Sequence, residues 1–271
     1  MMQERLQYRN HMGDVIDFGK SGIFVSGNDL HDYNWTVSQK NGKISSFKRD
    51  VANRTIPVTI FCQTVEDGVA ARNRLMEVAE KDVLAKKPGK IIIGDYYYKC
   101  YITGSKKSQY LSSRRRMEVA LTTTSDEPYW VRENFNSFRK GSASGLDYPH
   151  DYMFDFTSLF SQAALVNTDF TASNFRMNIF GPCSDPTVYV SGHAYVVNCD
   201  VEAGEYIMID SIAKTVTKIA TDGTITNVFN LRGRESYIFE KIRPGANTVA
   251  WEGEYGIDII LLEERSEPKW I

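Results

Sequence analysis

Only one stretch of this chain, Thr64–Lys87, carries a helical period; the remaining patterned sequence reads as short β-strands cut by turns. That contrast restricts the fold to sheets with a single helix laid against them. The pattern is clearest towards the C-terminus. FRMNIFG, PTVYVSG, AYVVNCDV, EYIMIDS, KTVTKIA, ITNVFNL, SYIFEKI, NTVAWEG and GIDIILLEE follow one another, separated by Gly, Pro, Asn and Asp. Asp222-Gly223 and Pro244-Gly245 are explicit turn signals. Short strands with turns every ~8–12 residues predict an antiparallel β-sandwich over 150–271.

The first part mixes strands with the helix. GIFVSG, YNWTVSQ and RTIPVTIFCQ read as strands, and Asn41-Gly42 predicts a tight hairpin because a type I′ turn needs positive φ at both central residues. In YNWTVSQ, Trp35 and Val37 share a face. Pro57 places its strand at an edge or bulge, since proline donates nothing to a ladder. Thr64 with Asp67 resembles a capping box. Val69, Met76, Ala79 and Val83 form one helical stripe, which predicts that the helix covers a sheet. KIIIGDYYYKCYITG and RRRMEVALTTTSDEPYW add further strands. The expectation is a mainly β protein: a β-sandwich-like domain at 1–135 with one packed α-helix over about 65–87, and a linker at 136–149. The linker lies within the polar run 131–150, which carries GSASG.

Composition excludes several classes. The 271 residues are 42% hydrophobic and 24% charged, ordinary for a globular chain able to bury cores without staples. No apolar run approaches the roughly 20 residues of a membrane span, and the polar start MMQERLQYRN has no signal-like apolar core. The expectation is therefore a soluble product made in a cytoplasm, without a membrane partner. The net charge of −2 conceals an asymmetry: residues 1–140 hold 23 Lys and Arg against 16 Asp and Glu, and 141–271 hold 9 against 18. No basic stripe interleaves with aromatics, so sequence-specific nucleic-acid binding is not expected. The dispersed Cys62, Cys100, Cys183 and Cys199 form no disulfide framework. His11, His31, His150 and His193 have no metal-ligand spacing, and no nucleophile elbow or phosphate-binding loop is present. Neither metal, cofactor nor catalytic residue is expected. Glu263 and Glu264 are adjacent, point to opposite faces of a strand and read as surface charge.

Two aromatic groups and one basic cluster are candidate contact residues. Tyr96 and Tyr98 share one face of their strand and Tyr97 takes the other. With Tyr101, they read as cross-strand packing, as a sugar-stacking platform or as an interface. Tyr189, Tyr195, Trp251 and Tyr255 read either as sandwich core or as a glycan cleft, since sugar faces stack on aromatic rings. Arg114, Arg115 and Arg116 read either as a solvated strand start or as a protein contact, because guanidinium groups are favoured at interfaces.

Four stretches then carry a likeness: MEVALTTTSDEPYW; LDYPHDYMFDF; the run from IFGPCSDPTVYVSGHAYVVN to TDGTITNVFN; and IFEKIRPGANTVAW with the terminal LLEERSEPKW. In this order, over nearly the whole chain, they resemble the distal tail proteins of long non-contractile-tailed phages. The resemblance implies a non-catalytic structural part of the virion tail tip, assembled in the host bacterial cytoplasm. It implies a homohexameric ring of first domains with a channel through which DNA passes, and galectin-like second domains outside it. The implied partners are the tail tube protein, a tail-associated tip protein, and receptor-binding or baseplate proteins. A head-to-tail ring repeats one heterologous contact, and sheet edges such as the Pro57 strand and the Tyr-rich strand are candidates for it. A basic lumen would hold DNA phosphates, so Arg114, Arg115 and Arg116 are expected to face partners rather than the channel. A carbohydrate-binding module that contacts the host wall is the alternative reading.

Overall fold

The computed structural model describes residues 5–25, 27–108, 115–139, 160–252 and 255–269. They gather into two units: Met1–Arg132 with Glu264–Ile271, and Glu133–Glu263.

The first unit begins with β1 (Leu6–Arg9), β2 (Val15–Phe18), β3 (Ile23–Val25), β4 (Thr36–Lys40), β5 (Lys43–Lys48) and β6 (Ala52–Phe61). After α1 (Val65–Ala85) come β7 (Gly89–Ile93), β8 (Tyr96–Ser108), β9 (Arg116–Ser125) and the start of β10 (Trp130–Phe138). The 13-residue β8 serves two ladders. Its first half pairs with β7 and β10, and β7 continues to β1 and β2. From Tyr101 onward it pairs with β9, which pairs with β6, which pairs with β3; all of these are antiparallel. The register shifts between Ile102 and Gly104, where a Cβ would press on Thr122 at 3.2 Å. The bulge bends one strand into two neighbouring ladders.

Helix α1 packs against β8, β6 and β2. Thr64 caps it, its hydroxyl oxygen accepting from the Asp67 amide at 3.1 Å, and Lys86 closes it in the left-handed region at φ 52. The buried face is Gly68, Ala71, Leu75, Val78, Ala79 and Asp82. The sequence stripe is therefore corrected by about one residue: Ala79 is buried and Met76 half-buried, but Val69 and Val83 are exposed. Positions 68, 75, 82 and 69, 76, 83 have the same spacing of seven, so periodicity alone does not separate them. The small Gly68 and Ala71 allow close approach to the sheet, and the bonds to Asp82 set the rotation. The Asp82 carboxylate accepts the Tyr8 hydroxyl at 2.5 Å and the His11 amide at 2.9 Å, and lies 2.5 Å from His11 Nδ1.

The second unit continues β10 and adds β11 (Phe160–Asn167), β12 (Asn174–Phe180), β13 (Thr187–Val190), β14 (His193–Val196) and β15 (Tyr206–Asp210). Then follow β16 (Thr215–Ile219), β17 (Ile225–Asn227), β18 (Gly245–Glu252) and β19 (Ile257–Arg265). One sheet contains β17-β16-β15-β12-β19-β10 and the other β11-β18-β13-β14. Phe175, Met177, Ile207 and Ile259 from the first meet Leu165, Val188, Val249 and Trp251 from the second in one buried core. This is the antiparallel sandwich expected from the strand spacing. Three details differ. SYIFEKI is no strand, although Ile238, Phe239 and Ile242 in it are buried. Residues 131–138, read as the start of a connection, form most of β10. Glu263 is no surface charge: it is fully buried and accepts from Thr168 Oγ1 at 2.9 Å.

Candidate assembly surface of the first unit

Among the described residues, strands β4 and β5 pair only with each other. Asn41 and Gly42, at φ 53 and 74, make the two-residue turn that the sequence predicts. The pairing sets Val37 opposite Phe47, Gln39 opposite Ile44, and Lys40 opposite Lys43. Strand alternation, with the bulge at Ser45, brings Val37, Ile44 and Phe47 to one face. Their exposures are 43%, 59% and 59%. An isolated two-stranded ribbon is marginal in water, and an apolar face on it is what a partner surface buries.

The base of the ribbon is anchored. The Arg49 guanidinium lies 4.4 Å from the centre of the Trp35 ring and 5.2 Å from that of Tyr129, and donates to Ser266 Oγ at 3.4 Å. Beside this anchor is a depression of about 450 Å³, lined by Asp29, Asp32, Tyr33, Asn34, Thr36, Asp50 and neighbours. Asp29 accepts from the Thr55 amide at 2.7 Å. Asp50 pairs with Lys48 at 2.9 Å, and the Thr36 side chain, then Lys48, hold its carboxyl below the usual range. Arg54, the cation in this lining, is buried, with its guanidinium on the Leu30 carbonyl and 4.6 Å from the Tyr98 ring centre. Acidic charge therefore dominates the open part of the depression.

The residues singled out from sequence fall in different places. Tyr96 and Tyr98 are buried in the first core, with Tyr98 5.4 Å from Trp130, so neither ring offers a surface; Tyr97 is half-buried on the opposite face, beneath Lys90. Pro57 is half-buried opposite Ala120, beyond the last β3 pairing at Val58. It lines a second depression of about 510 Å³ with Thr59, Lys106 and Glu118. Arg115 and Arg116 are exposed; Arg115 donates to the Gln63 carbonyl at 3.2 Å and Arg116 to Glu118 at 3.1 Å. Arg114 lies outside the described residues. In the second unit Trp251, Tyr195 and Tyr255 are core residues with their polar atoms bonded to the backbone at Tyr255, Glu240 and Thr187. Burial pushes the Tyr195 and Tyr255 phenols well up. Of the four proposed glycan contacts, Tyr189 alone is exposed, at 37%. Sequence reading missed Ile44, Phe47, Lys40 and Lys43, although KISSFK after Asn41-Gly42 carried the signal.

Among the described residues no helix is long and apolar enough to cross a membrane, and no group of His, Cys, Asp and Glu is placed to hold a metal ion. No protein-family model and no curated protein sequence matches the chain. Solved structures do. A chain of the phage P2 baseplate in its activated conformation with calcium superposes with a TM-score of 0.64 at 13% identity, covering 98% of this chain and 100% of that one. The strontium form gives 0.63, with the same identity and coverage. The Dit protein of phage SPP1, described as a paradigm of the hub of the adsorption apparatus in phages infecting Gram-positive bacteria, gives 0.58 at 10% identity over 96% of this chain and 98% of its own. From end to end, this chain has the fold of phage baseplate and Dit hub proteins.

Proposed function

We propose that the chain is a structural, non-catalytic hub of a phage tail tip. Copies join head-to-tail into a six-fold ring that connects the tail tube to a tail-associated protein, while the second units carry receptor-binding or baseplate proteins. The observation that carries this reading is the likeness to two hub and baseplate proteins over nearly the full length of each chain. The ribbon β4–β5 supports the ring. It leaves the sheets of its own unit and presents an apolar face that the described residues of its own chain leave exposed. Closed rings repeat one heterologous contact, so a protruding arm on one copy and a receiving surface on the next suffice. The exposed Arg115 and Arg116 then face neighbouring proteins rather than the DNA path, because a basic lumen would retain phosphate.

Light scattering with negative-stain imaging of the same peak tests the reading. A particle of six times the 30.8 kDa of one chain, with an open centre, is the expected result. Monomers at the highest soluble concentration that also form no ring when mixed with tail tubes would overturn it.

A further inference from the structure

Lys40 and Lys43 stand directly opposite each other at the tip of the β4–β5 ribbon. Like charges in that position oppose strand pairing. Both are exposed, and neither has an ion-pair partner among the described residues. The acidic depression lined by Asp29, Asp32 and Asp50 lies at the other end of the same ribbon, against Thr36. Five residues run from Thr36 to Lys40, so the tip stands about 13 Å from the base at the usual strand rise. A two-residue turn between paired strands does not fold back, and the tip of one chain does not reach its own depression.

We infer that the lysine tip of one copy docks in the acidic depression of the next, with a second copy of this chain as the occupant. The inference rests on the ring reading above and names its contact. The occupant follows from charge and shape. The depression is lined by three carboxylates, of which Asp50 is paired with Lys48, and by one buried guanidinium already committed elsewhere; Asp32 is exposed and has no ion-pair partner among the described residues. The tip offers two ammonium groups on a narrow arm. Tip and depression lie at opposite ends of one element, so each copy gives one and receives one. That is the head-to-tail pattern that closes a ring. The apolar face of Val37, Ile44 and Phe47 runs between them and is covered in the same step. Charge sets direction and register, and apolar burial supplies the larger share of affinity.

Cross-linking in full-length chains tests the contact. In a Cys183→Ser, Cys199→Ser background, one chain carries Lys43→Cys and another Asp32→Cys; the two are mixed and mildly oxidised. The expected result is a covalent two-chain band at least about tenfold stronger than with either chain alone, since a disulfide forms only at close Cα approach. In the wild-type background, Lys40→Glu with Lys43→Glu weakens self-association about tenfold or more. Asp32→Lys does the same, and the three changes together restore it. Unchanged thermal midpoints show that the variants fold. A wild type that forms rings, with no cross-link and no effect of charge reversal, overturns the inference and leaves the ring reading standing. A wild type that never associates overturns both.

Discussion

Asp82 joins two elements of the first unit through its side chain. Its fully buried carboxylate receives a hydroxyl from Tyr8 and an amide from His11, so it ties α1 to β1 and the turn after it. Burial, then the bond to Asp82, pushes the Tyr8 phenol well up, which keeps it a donor. Replacing Asp82 by Ala strands the buried Tyr8 hydroxyl and the half-buried His11 amide and is expected to cost about 2–4 kcal/mol, measurable by denaturant unfolding. Gly89→Ala acts on the same place, because a Cβ there would stand 2.4 Å from Asp82 Oδ2 and 2.5 Å from the Tyr8 hydroxyl. The thiols give a second prediction at this scale. Cys62 and Cys100 are buried; Cys183 and Cys199 are half-buried, and burial pushes Cys183 up to about 11 and raises Cys199 as well, with Lys218 opposing part of the rise at Cys199. Timed alkylation at neutral pH should label Cys199 first and Cys100 only on unfolding; early loss of Cys100 would refute this. None of these partnerships was legible in the sequence. Tyr8 is far in the chain from Asp82 and Gly89, and a charged residue in a helix or a strand reads by default as solvent-facing. Glu263 misled for the same reason.

At the scale of elements, the ribbon and a paired turn make opposite predictions. Ile44→Ser with Phe47→Ser removes apolar groups that are already mostly in water, so stability should stay within about 0.5 kcal/mol. Self-association should fall sharply by light scattering. A variant that unfolds early, or that still forms rings, would show that the face is not the contact. The turn before β15 is different. Glu205 pairs with Lys218 on β16 at 2.6 Å. The Lys218 bond, then the Glu202 amide, hold the Glu205 carboxyl below its usual value of 4.5. Its contribution is complete above 4.5 and is lost as pH falls through the lowered folded value. Lys218, raised chiefly by Glu205, keeps its contribution below 10.5 and loses it as pH rises through the raised value. Glu205→Gln should therefore flatten the acid limb of the melting-temperature profile; an unaltered limb would refute the linkage. Elements were the most readable level. The Asn41-Gly42 turn, the Thr64 cap and most strands follow from local chemistry. The helix face, β11 and the SYIFEKI turn do not, because tertiary partners decide them.

For the whole molecule, strand spacing and a single helix were enough to indicate a mainly β fold with one packed helix, and the sandwich followed. The course of the chain between them was not readable. It leaves the first unit after Arg132 and returns at Glu264, where Arg49 finds Ser266 and feels the Glu264 charge. Nothing in LLEERSEPKW says which core it serves. A chain stopped after Arg132 should melt below one in which 133–263 is excised and the cut ends are joined by a glycine-rich bridge. Equal midpoints would show that the returning tail adds nothing. The second unit is thus spliced into the first rather than appended to it. For a gene encoding such a chain, swapping the second unit for another requires two recombination joints in frame. A single crossover would hand the first unit a foreign tail.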